Sequence, residues 1–428
     1  MNSAQTNIGI GFVTGRKSFK NVFRTYMNSF AQSGLQNDGI DLTLFIAYDL
    51  DYTNTRLSDY TIIDKEDMKH VTNIHYLGKK NISQEIAFLT KSGILTEKEA
   101  QLIFGDGYGK KRNIIMYNAL MNKMDCLLFV DDDEYPLAPT QGRNKELIWR
   151  GQEIIKTHLQ HIWEADITNG YHCGYISPIP HIEYNHLITE NDYKTYIEGL
   201  SNDILNWESI KGKIENGGIT YADESQMDAK NFKEIEGENA KFVSGSNLCI
   251  NLRSNVDQLP PFYNPPKARG EDTFFSTCLG GQKVLRVPCH AFHDGFQHYN
   301  CLLSGILPLE LKKETALRPE NISRFLTASI GWARYKPLLL YITHRNEYAT
   351  LIEEAREKLT RQIPKFREYF HTQSFQTILN EFDDYDKNVE RHYESFEETK
   401  LSWKKLVNYA KNADYSERFV GAQLGIVQ

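Results

Sequence analysis

The chain has 428 residues, 40% apolar and 25% charged, with a formal net charge of −7. That length suits one large domain plus an appendage, and the composition is that of an ordinary soluble globular protein. The acidic balance excludes a general electrostatic attraction to nucleic acid.

Taken in order, 8–14 reads as a first strand, followed by Gly15 and a helix over 17–32 with Phe19, Val22, Phe23, Tyr26 and Phe30 on one face. Residues 41–48 form a second strand that ends in Asp49 and Asp51, and 71–77 a third. A short helix is predicted over 97–104. The Gly-rich, basic stretch that opens 105–123 leads into a helix from Lys110 onward. The apolar run 126–130 then breaks into Asp131, Asp132, Asp133 and Glu134. Strand, helix, strand, helix, strand, with acids at strand ends, predicts a doubly wound α/β fold. Beyond Pro136 the periodicity predicts a helix over 146–165, a strand over 171–179, and a polar insertion over 181–238 that shapes a binding face. A strand over 240–252 follows, interrupted by Gly245, Ser246 and Asn247. A Pro-rich turn over 260–266 leads to RGEDTFF and to a strand over 284–288. From 309 to 428 helical amphipathic segments dominate, notably 347–368 and 389–411. The division expected is 1–308 as one α/β domain and 309–428 as a helical C-terminal region.

Six cysteines, Cys126, Cys173, Cys249, Cys278, Cys289 and Cys301, form no CxxC pair. This favours reduced core thiols in a cytosolic protein over a zinc site or a disulfide framework. The first residues lack a secretory leader pattern, and no apolar run has the length of a membrane span. The longest approach, 325–343, carries Arg334 and Lys336. The expectation is a cytoplasmic protein, with contact at the inner face of the membrane left open.

Four acids in a row at the end of a buried strand repel one another, and a positive group should lie among them. A divalent cation is the obvious one, because hard cations prefer oxygen ligands, and ligands of open α/β sheets sit beyond the carboxyl ends of the strands. The alternative is a solvated acidic turn.

The order of these motifs resembles a known family. An Asp at the second strand end, Gly-x-x-x-x-Arg-Asn, an apolar strand plus DxD, Gly-Ser-Asn, Gly-Glu-Asp and Pro-x-x-x-x-His resemble GT-A fold nucleotide-sugar glycosyltransferases. Among them the broad glycosyltransferase family 2 is the match, over residues 8–300. The resemblance implies a GT-A fold, a doubly wound Rossmann-like mixed sheet, here with a helical C-terminal region. It implies that Asp131 and Asp133 hold Mg²⁺ or Mn²⁺ against the diphosphate of a nucleotide-diphosphate sugar, with Asp131 also near the donor, and Asp132 a bystander. A cation there offsets the charge left on the departing nucleoside diphosphate.

The same resemblance puts Gly109, Lys111, Arg112 and Asn113 at the donor nucleotide, where a helix start and basic side chains suit phosphate. Asp49 or Asp51 falls at the donor base, though YDLDYTN departs from the family's common pattern, and a plain turn explains either Asp. Thr14 and Arg16 fall near the nucleotide. Asp272 matches the catalytic carboxylate of an inverting transfer, the base that takes the acceptor's proton, with Glu271 orienting the acceptor. The bland alternative is that both acids merely favour the first turn of a helix. His293, in preference to His290, fits as a third metal ligand, and Gly245, Ser246 and Asn247 fall on the acceptor side.

Three functions follow as alternatives. One is a metal-dependent inverting glycosyltransferase acting on a hydroxyl of a glycan, a lipid-linked or a small-molecule acceptor. Another is a retaining transferase or a sugar nucleotidyltransferase. The last is a nucleotide- or sugar-binding scaffold. The C-terminal helices serve dimerisation, acceptor recognition or attachment to a complex or membrane surface, with balanced charge favouring a solvated module or a homo-oligomer contact.

Overall fold

The computed structural model describes residues 5–175, 179–201, 206–228 and 230–413. Eleven strands occur along these residues. They are β1 (Thr6–Thr14), β2 (Ile40–Tyr48), β3 (Val71–Tyr76), β4 (Cys126–Asp131), β5 (Glu134–Tyr135), β6 (Leu137–Gln141), β7 (Leu147–Gly151), β8 (Ile167–Tyr175), β9 (Lys233–Glu234), β10 (Leu248–Asn251) and β11 (Val284–Asp294). The helices of the first half are α1 (Phe19–Gln32), α2 (Ser58–Thr61), α3 (Lys65–Met68), α4 (Lys79–Lys91), α5 (Glu97–Ile103), α6 (Tyr108–Met121) and α7 (Ile154–His161). Those of the second half are α8 (Glu190–Leu200), α9 (Trp207–Glu215), α10 (Glu271–Thr277), α11 (Pro319–Thr343), α12 (Tyr348–Tyr369), α13 (Gln376–Lys387) and α14 (Val389–Asn412).

One mixed sheet organises the molecule, in the order β3-β2-β1-β4-β10-β8-β11-β5, with β9 on β11. Strands β1 to β4 are mutually parallel, and β10 runs antiparallel to both of its neighbours. The parallel strands bury both faces, so they read as continuous apolar runs rather than as alternations. Leu128 and Val130 face α1, where Phe19, Phe23, Tyr26 and Phe30 fill the core. Leu127 and Phe129 face the opposite layer, with Ile115 and Ala119 of α6. Trp403, Leu406 and Val407 of α14 join this second layer. The last helix therefore packs on the α/β core itself. Lys123 caps its end by donating from Nζ to the Ala410 carbonyl at 3.0 Å.

The expected doubly wound mixed α/β sheet followed by a helical C-terminal region is the architecture observed. A third core joins α8 and α9 of the 181–238 stretch to α11, α12 and α13, through Tyr193, Tyr196, Phe325 and Phe366. The only regular helices of the insertion thus lie against the C-terminal helices, among the described residues.

Four local expectations are corrected. The helix over 146–165 is instead a hairpin, β6 with β7, and then the shorter α7. Its apolar residues do have helical spacing, but Lys145 adopts φ 65 in a tight turn and Gly142 N–H bonds the Glu146 carbonyl, which closes an antiparallel pair. The strand over 240–252 shrinks to β10, because Asn247 takes a left-handed φ of 48 and breaks the extended run. The expected strand over 171–179 begins earlier, at Ile167, and its residues 176–178 lie outside the described residues. Strand β11 runs on to Asp294 past Pro288, with a register shift between Arg286 and His290.

Candidate functional site

Strands β1, β2 and β4 end along one edge, with Thr14 opposite Tyr48 and Val13 opposite Asp131. Side chains following those ends must converge there. Strand β5 then crosses to pair with β11, and Asp294 N–H donates to the Asp133 carbonyl at 2.9 Å. That bond brings Asp133 beside His293, a neighbour far along the chain.

The four acids meet cations supplied by the chain itself. Asp132 is buried and turned inward, accepting from Thr14 Oγ1 at 2.6 Å and pairing with Arg16. Arg16 also reaches Asp133 at 2.7 Å. Glu134 is buried, pairs with His172 Nε2 at 3.1 Å and accepts from Ser246 Oγ at 2.5 Å. Burial alone would raise the Glu134 carboxyl, but His172 holds it below its ordinary value. Asp131, the most solvent-accessible of the four, accepts from Arg112 Nη2 at 3.2 Å. Burial raises its pKa against the pull of Arg112, and the neighbouring acids add to the rise. Thr14 and Arg16 are therefore placed on the acidic cluster as its internal partners.

Arg112 has the most informative surroundings. It is 3% exposed, from the first turns of α6, and its guanidinium lies over the rings of Phe129 and Phe262, each at 5.6 Å. Only Nη2 has a partner, while Nε and Nη1 have none. Burial opposes its charge, which Asp131 first and then Glu271 and Asp272 restore, so the cation sits between the strand-end acids and the Gly-Glu-Asp acids. Gly245 makes room for it: a Cβ there would come within 2.8 Å of Arg112 Nη2. Gly109 backs onto the Glu271 Cβ, which would lie 3.1 Å from an added Cβ.

Helix α10 begins with Glu271 and Asp272 after Gly270, whose φ of 90 suits glycine. The Asp272 carboxylate accepts from Thr273 N–H at 2.9 Å. Burial and the adjacent Glu271 push its pKa up to about 6, against Arg112. A carboxyl with such a pKa is ionised at neutral pH yet accepts a proton more readily than an ordinary carboxylate.

The fit to a divalent cation rests on His293. Its Nδ1 lies 2.6 Å from the Tyr175 carbonyl, so that nitrogen carries the proton and Nε2 faces Asp133 Oδ2 at 3.3 Å. Metal-ligating histidines are oriented by such a second-nitrogen bond. A lone pair aimed at a carboxylate needs a cation between them, either a proton or a metal. Without a metal the proton serves: burial disfavours it, but Asp133 and Glu134 raise His293 to about 9. Among the described residues, no group of three or more His, Cys, Asp and Glu is arranged to hold a metal. The expected trio therefore does not assemble, because Asp131 is turned to Arg112. The donor pair that does fit is Asp133 with His293. His290 instead stacks on Tyr171 at 5.0 Å, away from Asp133 as a ligand.

Other residues expected at the site are engaged elsewhere. Asn113 is fully buried and clasps the loop before α10, accepting from Phe262 N–H at 2.8 Å and donating to the Phe262 and Ile103 carbonyls. Asn247 is likewise buried, bonding His158 Nε2 at 2.9 Å and the Tyr171 carbonyl at 3.0 Å. Its amide stabilises the sheet. Lys111 is buried against Asp49 at 2.5 Å, which holds the Asp49 carboxyl low despite partial burial. Asp51 is exposed, and its N–H caps Asp49 Oδ1 at 3.0 Å. The sequence reading missed His172, Arg324 and Tyr335. His172 pairs with an acid remote in sequence, and the other two lie on a helix read as an appendage, so no local signal could have found them.

No protein-family model matches the chain, and no curated protein matches it. Among solved structures it is similar to the crystal structure of S. aureus TarS, at a TM-score of 0.29 and 11% sequence identity, over 94% of this chain and 55% of that one. The chain thus spans about half the length of that protein. A likeness this slight carries no inference about activity. Among the described residues, no helix is long and apolar enough to cross a membrane.

Proposed function

We propose that the chain is a glycosyltransferase moving a sugar from a nucleotide-diphosphate sugar to a hydroxyl acceptor, with inversion. The observation that carries this reading is the buried Arg112, with unpartnered N–H groups, set between Asp131 and the Asp272 carboxylate. A desolvated, half-satisfied cation is costly unless an anion completes it. A carboxylate with pKa raised to about 6 on the far side of that cation suits a general base. In the reaction the acceptor oxygen bonds the anomeric carbon as the bond from that carbon to phosphate oxygen breaks. The acceptor's proton passes to Asp272 Oδ, and the electron pair leaves on the nucleoside diphosphate. Glu271 orients the acceptor, and Arg112 takes up negative charge on the donor side.

Asp133 and His293 are the residues that would hold Mn²⁺ or Mg²⁺. A bound cation would supply Lewis-acid stabilisation of the leaving diphosphate. The acceptor class stays broad: a glycan, a lipid-linked or a small hydroxyl compound. The deciding experiment screens nucleotide sugars with Mn²⁺ by thermal shift, since a bound donor stabilises the fold by mass action. Transfer is then followed with the best donor, and the product anomer is assigned by NMR. A product of retained configuration removes Asp272 as an inverting base. Absence of transfer with any bound donor removes the activity.

A further inference from the structure

Resting on that reading, we propose that helix α11 is a positioning element of the catalytic site, a bar that holds the loop before Asp272 and the turn after His293 in one geometry. Arg334 and Tyr335 are its positioning residues for Asp272, and Arg324 is its positioning residue for His293.

The loop 259–270, which delivers Asp272, is anchored to the α/β core at Phe262, by Asn113 and by stacking on Phe275 at 4.3 Å. Its backbone is tied to the C-terminal helices at successive points. Trp403 Nε1 donates to the Leu259 carbonyl at 2.8 Å, and Tyr263 Oη donates to the His392 carbonyl at 3.1 Å. Tyr385 Oη donates to the Pro266 carbonyl, and Arg334 Nη1 to the Lys267 carbonyl at 2.9 Å. Two glycines then let the loop and α11 touch. A Cβ on Gly331 would fall 2.7 Å from Arg269 Cγ, and one on Gly270 would fall 3.2 Å from the Tyr335 ring. Tyr335 is 2% exposed, and the Asp272 charge acts on its hydroxyl. Phe274 of α10 meets the Tyr335 ring edge-on at 6.4 Å.

The other end of α11 serves the second half of the site. Arg324 donates from Nη2 to the Gly295 carbonyl and lies over the Phe296 ring at 4.6 Å. Gly295 packs against the His293 imidazole, where an added Cβ would meet Cε1 at 2.9 Å. From Arg324 to Arg334 an α-helix rises by roughly 15 Å. One helix therefore spans both loops, and the distance between them is set by a regular element instead of by loop conformation. A base must be held to within a fraction of an ångström of its productive position.

The test uses the full chain and two readouts, amide exchange and steady-state transfer. Arg334→Gln removes the bond to Lys267. Glu381→Gln weakens the Arg334–Glu381 pair, 2.8 Å at each of two bonds, and leaves the Lys267 bond in place. Gly331→Ala crowds the Arg269 stem while raising helix propensity, so it perturbs the loop in a chain that remains folded. The expected result is exchange over 267–277 faster by about tenfold in Arg334→Gln and several-fold in Gly331→Ala, with β4 amides unchanged. With it, kcat falls by about tenfold while donor Kd stays within about twofold, and Arg334→Lys recovers part of the loss. Glu381→Gln leaves both readouts near wild type. Unchanged exchange over 267–277 in Arg334→Gln and Gly331→Ala overturns the proposal. So does a loss in Glu381→Gln as large as that in Arg334→Gln. Wild-type chain that transfers no sugar defeats the glycosyltransferase reading, and the exchange data still decide the positioning role.

Discussion

Asp133 Oδ2 and His293 Nε2 lie 3.3 Å apart, with the imidazole locked by its other nitrogen to the Tyr175 carbonyl. With no metal the pair shares a proton, and on the proposed metal site a divalent cation would displace it. Metal binding at neutral pH should therefore release about one proton per site, measured by calorimetry in buffers of different ionisation enthalpy. Asp133→Ala or His293→Ala should weaken Mn²⁺-dependent donor binding by at least about tenfold. Donor affinity insensitive to EDTA in the wild type would exclude the metal.

The same pair sets a stability window in the metal-free chain. Asp133 and Glu134 raise His293 from its ordinary value to about 9, against burial. A raised histidine stabilises the fold fully below its unfolded value, and the contribution fades as pH climbs through the folded one. The midpoint of urea unfolding should fall between pH 7 and 10, and Asp133→Asn should flatten that fall. A decline of equal slope in Asp133→Asn argues against the pairing.

Asp272 predicts a rate limb. Raised to about 6 by burial and Glu271, it must be ionised to act, so kcat should rise with pH through about 6 and level off above. Asp272→Asn should lower kcat by about 10²–10⁴-fold with donor affinity preserved. Stopped assays across pH 4.5 to 8 read both, and an Asp272→Asn rate near wild type would defeat the assignment.

Gly245 predicts a donor defect without a folding defect. An alanine there puts Cβ within 2.8 Å of Arg112 Nη2 and pushes the guanidinium from its place. Donor Kd should rise several-fold in Gly245→Ala, with the melting temperature little changed. Equal donor Kd would show that Arg112 does not touch the donor.

Asn113 predicts the reverse. Asn113→Ala strands the Phe262 N–H and two carbonyls in the interior, at about 1–3 kcal/mol per unsatisfied group. Denaturant unfolding should show a large loss of stability, while donor Kd of the folded chain changes far less than in Gly245→Ala.

Much of the α/β frame is local information. The apolar runs of β1, β2 and β4, the apolar face of α1 and the acids at strand ends follow from residue order, because parallel strands buried on both faces and helices with one apolar face leave period-specific patterns. These patterns sufficed for the α/β class, whereas Asp131, Asp133, Asp272 and His293 are singled out by the resemblance of the motif order to a family. They misled where two periods overlapped: Leu147 and Ile148 fit a helical period with Ile154 and Ile155, and the Lys145 turn made them a strand.

What the sequence by itself determined is the alternation of strands and helices and the chemistry available at their ends. Only the tertiary structure decided which charges meet. Arg16 lies 116 residues before Asp132, and Arg324 lies 29 residues beyond the Gly295 carbonyl it binds. Such pairs leave no periodic trace, since a charge–charge contact depends on the packing of whole elements and not on the spacing of neighbours. The acidic run Asp131 to Glu134 illustrates the division. Its need for positive charge is legible from four residues, but that Arg16, Arg112 and His293 supply it could be known only once the sheet had brought them together.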